Sequence, residues 1–591
     1  MGQDSGSHRI AILPLANVNP DPTDSYFADG LTDELISTVS KVREFEVISR
    51  TSSMQYKGRH KSVKKIASEL NVGTILEGSV RKAGNKVRIT IQMIDAKRDR
   101  QLWAESYDRE LQDIFAIQSE VARHVADTLS VRLHSSEKTD LGEPPTRNTE
   151  AHILYLKGRY YLAERTKQSL DRAVKYFEKA VRKDSKFALG FASLAQCSVV
   201  CSNYGWIAPK DAFTNARRYA LKALEMNPRL AQPHATLGYI LAMQDYRWRE
   251  AEDELLEAEA LTPSLASAYV SHSLVLRGML RFGEAYEKIR RAAELDPLSA
   301  IIGINVAETL LVLGKTKEAI EQCEHVIETN PGSAVPYRFL GWAYLTDSKA
   351  NLAVSQVKKA ETLAGEDPGV RALLASALGF ADRRDEANKI IEELLELGRR
   401  KYVNSVMIAH ALYGAGRVDE AFTYLERGFK EKSDLLVETR WLPWLKDLRR
   451  DPRWGSIESR MGFSDDLKGK LESGTSIQPL VQSEFREAQT KILFDFLVRA
   501  FVEDYMKKRL YIEQSGWRSL TQISELTKIP PGVLYGRRGR YGPTLDELMS
   551  RGLVEQRTFS GQRGRGGSVT KVRVAYDREP TKRYVDRAAL L

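Results

Sequence analysis

Three carboxylates stand close together near the amino terminus, Asp29, Asp33 and Glu34. Carboxylates at this spacing can bind a metal ion or relay protons. Acidic residues are also favoured in the first turns of a helix, where they face the positive end of the backbone dipole. The helical pattern around these three makes that structural role the expectation. Cys197 and Cys201 are four residues apart on a helical pattern, but no further thiol or imidazole follows at a zinc-ligand spacing. The nine histidines are scattered. The glycine-rich run at 561–567 lacks the lysine and hydroxyl of a phosphate-binding loop. These residues predict no catalytic group, no metal and no cofactor, and hence a chain that is not an enzyme.

The remaining chemistry-bearing residues are cationic and lie at the other end. Arg537, Arg538 and Arg540 stand between Tyr535 and Tyr541, and Arg563, Arg565 and Lys571 follow in and after the glycine-rich run. Guanidinium groups on a segment entering a major groove can reach phosphates and guanine edges. Arginines on a glycine-rich loop can enter a minor groove. These eight are the candidate DNA-binding residues. The formal net charge is +10, and residues 485–591 hold 21 Lys+Arg against 12 Asp+Glu, so 21 − 12 = +9. A basic end on a balanced body suits a polyanion.

The elements that would position these cations can be read from the pattern. Residues 484–512 predict a long helix in which Ile492, Phe496 and Ala500 run beside Leu493, Leu497 and Phe501. That wide stripe suits a domain core, a homodimer contact, or both. Ser519, with Gln522 three residues on, caps a short helix. Pro530 and Pro531 make a turn before a second short segment, and a third helix over 544–551 ends at Gly552. Strands over 553–557 and 569–575 flank the glycine-rich loop. Helix, turn, helix and basic hairpin form the pattern of a winged helix-turn-helix.

The middle of the chain is a repeat. Alanine recurs as Ala173, Ala216, Ala251, Ala285, Ala319, Ala353, Ala387 and Ala421, at intervals of 43, 35, 34, 34, 34, 34 and 34. Pro228, Pro263, Pro297 and Pro331 keep the same beat. Tyr337, Leu340, Gly341 and Tyr344 share one helical face, and Ala353, Val357 and Ala360 form the facing stripe of a second helix. The same stripe reads Ala319, Cys323, Val326, which makes Cys323 a buried thiol. The long first interval comes from a loop extended over 202–209. Trp441, Trp444 and Trp454 follow the last unit and read as a cap over its apolar face. With its 34-residue period, the stretch from 150 to about 460 resembles the tetratricopeptide family. The resemblance implies an all-α solenoid whose concave groove, lined by the first helix of each unit, holds a protein or peptide.

Ahead of it, 9–15 predicts a buried strand and 24–42 a helix with Phe27, Leu31, Leu35 and Val39 on one face. A strand at 46–49, a helix at 63–70, a hairpin of 73–83 with 86–96 around Gly84-Asn85, a strand at 101–107 and a helix at 114–133 complete a β-α-β-α-β-β-β-α order. The motifs Tyr26-Phe27-Ala28-Asp29-Gly30-Leu31-Thr32-Asp33-Glu34-Leu35, Val47-Ile48-Ser49-Arg50-Thr51-Ser52, Leu76-Glu77-Gly78-Ser79-Val80-Arg81 and Leu102-Trp103-Ala104-Glu105-Ser106-Tyr107-Asp108-Arg109 resemble the TolB amino-terminal-like domain. That family implies an interaction or ligand-sensing role with no known catalytic residues. It often precedes tetratricopeptide repeats and is often joined to an adenylate-cyclase catalytic domain, a protein kinase or a DNA-binding winged helix. No kinase or cyclase segment fits between the parts of this chain. In relatives with a DNA-binding output that module commonly comes first; here it is last.

The expected fold is multidomain: a leader at 1–8, a small α/β domain at 9–134, an all-α tetratricopeptide solenoid with its cap at 150–463, a polar linker at 464–484 and a winged helix at 485–591. The leader lacks the basic start and apolar stretch of a secretory signal. The chain has no apolar run of about eighteen residues to span a membrane, and three cysteines make no disulfide framework. The expectation is a cytoplasmic regulatory adaptor, with no membrane contact, that binds protein or peptide through its first two parts and double-stranded DNA through its third. The alternative is a complex scaffold whose terminal domain contacts protein or RNA.

Overall fold

The computed structural model describes residues 8–18, 25–59, 61–110, 113–131, 133, 134, 137, 141, 144–204, 206–463, 518–519, 554–560 and 568–574. The chain divides into two compact units, Met1–Asp465 and Asp466–Leu591. The α/β part and the solenoid belong to the first unit.

The run Ile10-Ala11-Ile12 is apolar at every position, which suits a strand covered on both faces. It forms β1 (His8–Ile12), flanked in parallel by β3 (Phe45–Val47) and β4 (Thr74–Ala83). From β4 the sheet continues antiparallel through β5 (Lys86–Asp95) to β6 (Arg100–Glu110), in the order β3-β1-β4-β5-β6. Gly84, at φ +61°, turns the chain between β4 and β5. The helices are α1 (Ser25–Val39), α2 (Arg50–Met54), α3 (Val63–Leu70) and α4 (Ile114–Thr128). This is the expected element order with two additions, α2 and β2 (Ala16–Asn17), the latter pairing with β4. Both are too short to leave a periodic signal.

Among the described residues eight helical hairpins follow: Thr149–Glu164 with Lys167–Lys183, Ala188–Asn203 with Pro209–Met226, Ala231–Met243 with Trp248–Leu261, Ala266–Gly278 with Phe282–Leu295, Ala300–Val312 with Thr316–Thr329, Val335–Thr346 with Ala350–Ala364, Pro368–Phe380 with Arg384–Arg400, and Ser405–Gly414 with Val418–Lys430. We number them 1 to 8. Every marker alanine lies on a second helix and is buried, Ala319 at 1% exposure and the other seven at 0%. A larger side chain there would separate the paired helices. A Cβ on Gly341 would lie 2.5 Å from Val357, so glycine lets the two helices of hairpin 6 close on each other.

The α/β part packs on the solenoid at two places. Its sheet core, with Ile10, Leu31 and Val125, is continuous with Leu156, Phe177 and Phe187 of hairpin 1 and its exit. At the other sheet edge, Val47 N–H donates to Ser264 Oγ (3.1 Å), Ser49 N–H to the Leu295 carbonyl (2.8 Å), and Arg291 pairs with Glu46 (3.0 Å). Ser52 gives its N–H and hydroxyl to Asp296 (3.0 and 2.5 Å). Burial nevertheless raises the Asp296 carboxyl to about 6. The α/β part thus bridges hairpin 1 to the ends of hairpins 3 and 4.

In the second unit β7 (Arg518–Ser519), β8 (Val554–Ser560) and β9 (Ser568–Val574) form an antiparallel sheet in the order β7-β9-β8. The strands expected at 553–557 and 569–575 fall on β8 and β9. Ser519, expected to cap a short helix, lies in β7; the helices expected over 484–512 and 544–551, the rest of the short segments between them and the homodimer stripe lie outside the described residues.

Candidate partner groove and its own occupant

The first helices of hairpins 3 to 8 are unusually apolar. Ala300–Val312 carries one charged residue, Glu308. Helices apolar on more than one face must be covered on more than one face. The second helix of each hairpin covers one; the segment 433–463 covers the other. It runs through a helical turn at Leu435–Glu438, two 3-10 turns at Pro443–Leu445 and Leu448–Arg450, and a helix at Pro452–Arg460.

Its contacts reach from hairpin 3 to hairpin 8. Tyr239 donates to Asp434 (2.9 Å) and Trp248 Nε1 to the Met461 carbonyl (2.9 Å), while Gln244 donates to the carbonyl of Lys432 just before the segment (2.6 Å). Arg440 donates to the Gly278 carbonyl and pairs with Glu458 (2.7 Å). Trp444 meets Phe380 and His410 edge-on, at 6.0 and 5.6 Å between ring centres, and Thr439 bonds His410 (2.9 Å). Most of these contacts fall on the first helices of the hairpins, Tyr239, Gly278, Phe380 and His410 among them, and those are the helices expected to line the groove. The aromatic cap therefore does more than close the last repeat. It turns back along the inner face and fills the groove expected to be open there.

A buried polar centre lies under this segment. Arg277, at 0% exposure, pairs with Glu308 (2.5 Å) and donates to Asn305 (2.8 Å). Trp441 covers the pair: its Nε1 donates to Glu308 (3.1 Å), and its ring lies 5.4 Å from the guanidinium carbon. Glu438, half-buried by its surface exposure, borders this centre. Burial, and then the charges of Glu308 and Asp434, raise its carboxyl to about 8, against the pull of Arg277 and Arg338.

The raised Glu438 makes a sign-specific prediction. A free glutamate titrates near 4.3. Between that value and about 8 the folded chain holds a proton that the unfolded chain has lost, so stability is full below the lower value and falls as pH rises through the upper one. Asp296, at about 6, acts the same way lower down. His410, held near 3 by burial, acts oppositely, and its effect is complete once pH exceeds its ordinary value of about 6.5. His234 is raised, through Glu254 once its own burial is offset, and adds a loss of the same sign as Glu438. Urea unfolding of the wild type should therefore weaken between about pH 7 and pH 8, with at most about 1.4 kcal/mol per pH unit due to Glu438. Glu438→Gln should remove that share and leave the remainder. Identical pH slopes in the two proteins would refute the assignment.

The three amino-terminal carboxylates lie in mid-helix, so the dipole explanation is corrected. Asp29 pairs with Lys57 (2.7 Å), Asp33 with Arg159 (2.6 Å), and Glu34 with His152 and Gln118 (both 2.6 Å). Arg159 and His152 belong to hairpin 1, so Asp33 and Glu34 tie the α/β part to the solenoid. Cys197, Cys201 and Cys323 are buried free thiols, and burial raises Cys197 to about 12 and Cys201 to about 11. Among the described residues no group of three His, Cys, Asp or Glu could hold a metal ion. Of the candidate DNA-binding residues, Tyr535, Arg537, Arg538, Arg540, Tyr541, Arg563 and Arg565 lie outside the described residues. Lys571 is in β9, opposite Arg557 and Ser519 in register; its side chain lies outside them. Among the described residues no helix is long and apolar enough to cross a membrane.

Residues 6–124, which include the α/β sheet and most of α4, match the family described as HilA/YgeH-like transcriptional regulator, second domain. The chain is 36% identical over 246 residues to "Putative adenylate cyclase 3" of Rhizobium meliloti, covering 42% of this chain and 41% of that protein. It is 22% identical over 303 residues to the transcriptional regulator HilA of Salmonella typhimurium, covering 50% of this chain and 52% of that one. The chain thus spans about half, or less, of the length of these curated relatives. A tetratricopeptide repeat protein from Parabacteroides merdae is similar at 14% identity and a TM-score of 0.33, over 45% of this chain and 98% of that one.

Proposed function

We propose that this chain is a regulatory adaptor. Its first unit holds a protein partner and its second unit contacts double-stranded DNA. The observation that carries this reading is the match of 6–124 to a domain of transcriptional regulators, joined without a break in packing to a helical repeat body. The TolB-type motifs of the same residues support an interaction or sensing role over a catalytic one. The +9 charge of 485–591 and the antiparallel pairing of β8 with β9 support a winged-helix output. With 433–463 on the inner face of hairpins 3 to 8, the partner's place is elsewhere on the solenoid.

Fluorescence anisotropy of the full chain with duplex DNA, at several salt concentrations, tests the DNA half. Affinity should fall steeply with salt, with a logarithmic slope of about 0.9 per phosphate neutralised. Changing Arg537, Arg538 and Arg540 to alanine should make that slope shallower by a similar amount for each phosphate left without its cation. Absence of binding at low salt would overturn this output.

A further inference from the structure

The sequence holds a second basic region that the net charge conceals. Residues 149–230 carry 15 Lys+Arg and 7 Asp+Glu, 15 − 7 = +8, whereas 231–463 carry 30 and 35, 30 − 35 = −5. In hairpins 3, 4, 7 and 8 cations are neutralised by a recurring pair at the start of the second helix: Arg247–Glu250, Arg281–Glu284, Arg383–Glu386 and Arg417–Glu420. Among the described residues hairpins 1, 2, 5 and 6 lack that device. On the second helices of hairpins 1 and 2, Lys167, Arg172, Lys175, Lys179 and Lys222 are exposed, and among the described residues no carboxylate lies within ion-pair reach of them.

Aromatic rings hold several of these cations in place. Arg172 lies 5.5 Å from the ring centre of Tyr161, which stacks on Tyr176 at 5.6 Å; Lys179 lies 6.0 Å from Tyr176 and Lys222 4.5 Å from Phe191. A cation resting on a ring loses less freedom when an anion arrives than one that moves freely. Beside Lys222 on the same helix Leu221 is 52% exposed, and before it Tyr204 and Ile207 are 43% and 40% exposed. The loop expected over 202–209 spans only 204–208, with Ser202 and Asn203 continuing one helix and Pro209 opening the next, and its exposed Tyr204 and Ile207 lie toward the other end of that helix from Lys222.

We propose that this outer face of hairpins 1 and 2 binds an acidic amphipathic segment of a partner polypeptide. The inference deepens the adaptor reading by giving the protein partner a place and a chemistry. Cations with the exposed Leu221 beside Lys222 match a segment that carries carboxylates and apolar side chains together, which a phosphate backbone does not. The chain's own 485–591 region carries a net +9 and is not such an acidic segment. A second copy offers the acidic helix Trp248–Leu261, but there Glu250, Glu252, Glu254 and Glu259 are already paired with Arg247, Arg281, His234 and Lys288.

The test uses the full chain and a fluorescein-labelled helical peptide of glutamate and leucine, with duplex DNA measured in parallel. The variant Lys175→Glu/Lys179→Glu/Lys222→Glu should bind the peptide roughly tenfold or more weakly, since reversed charges now face like charges. A control with equal charge change on later hairpins, Lys317→Glu/Lys358→Glu/Lys389→Glu, should bind it like the wild type. Leu221→Ser should weaken the peptide and leave DNA affinity unchanged. Equal peptide binding by both triple variants, or none by the wild type, overturns the proposal. Loss of DNA binding in the patch variant with no change in peptide binding would assign the face to nucleic acid instead. The DNA reading fails separately, through Arg537, Arg538 and Arg540.

Discussion

Arg277→Ala should destabilise the first unit by about 3–5 kcal/mol. Arg277 is wholly buried, and its partner Glu308 is 5% exposed. Deleting the cation leaves the Glu308 carboxylate under Trp441 without its charge partner, beside a second carboxyl on Glu438. The loss measures that stranded charge, not the worth of the pair, because both ions also gave up water to be buried. The double variant Arg277→Met/Glu308→Leu removes both charges at similar volume and should lie close to the wild type or above it. Urea unfolding followed by tryptophan fluorescence reads both, since Trp441 sits at the site. A cost below about 1 kcal/mol for Arg277→Ala would be that of a surface pair and would contradict the burial of this centre.

The outcome bears on how the groove is kept shut. Segment 433–463 is held by apolar burial of Trp441, Leu442, Leu445 and Trp454, and by polar bonds to Tyr239, Trp248 and Gly278. Burial supplies affinity without direction, and the polar bonds fix the register. A partner peptide entering hairpins 3 to 8 would have to replace both. That is the physical reason for looking for the partner on hairpins 1 and 2.

The repeat was legible because its period records contacts between neighbours. Each marker alanine sits at a helix crossing that only a small residue allows, so the beat survives in the sequence. The α/β pattern was legible for a similar reason, since β5 and α1 each carry a regular apolar period. The fold-back was not, because no period encodes a contact such as Tyr239 with Asp434, 195 residues apart, or Trp441 with Glu308, 133 apart. One signal did exist: Glu308 is a single charge in an otherwise uncharged helix, which marks a buried ion in need of a partner. The acidic trio was misattributed for the same reason. Arg159 and His152 stand more than a hundred residues from Asp33 and Glu34, with nothing local to announce them.

Gly379 illustrates the same limit and gives the other large expected effect. It ends the first helix of hairpin 7 against the first helix of hairpin 8, at a place the 34-residue beat does not mark. A Cβ on Gly379 would lie 2.2 Å from the carbonyl oxygen of Gly414 and 2.6 Å from the amide nitrogen of Ala415. Both are backbone atoms and cannot rotate away, so the two helices must part. Gly379→Ala should cost about 3 kcal/mol, the upper end for overpacking. Gly398 provides the contrast. It lies inside the helix Arg384–Arg400, and a Cβ there would meet nothing within 4 Å. Gly398→Ala should therefore stabilise the chain by about 0.4–1 kcal/mol, by restricting the unfolded state and favouring the helix. Thermal unfolding of the two variants should shift in opposite directions. Parallel shifts would mean that glycine's effect here is one of backbone freedom alone, and that hairpins 7 and 8 do not meet backbone to backbone.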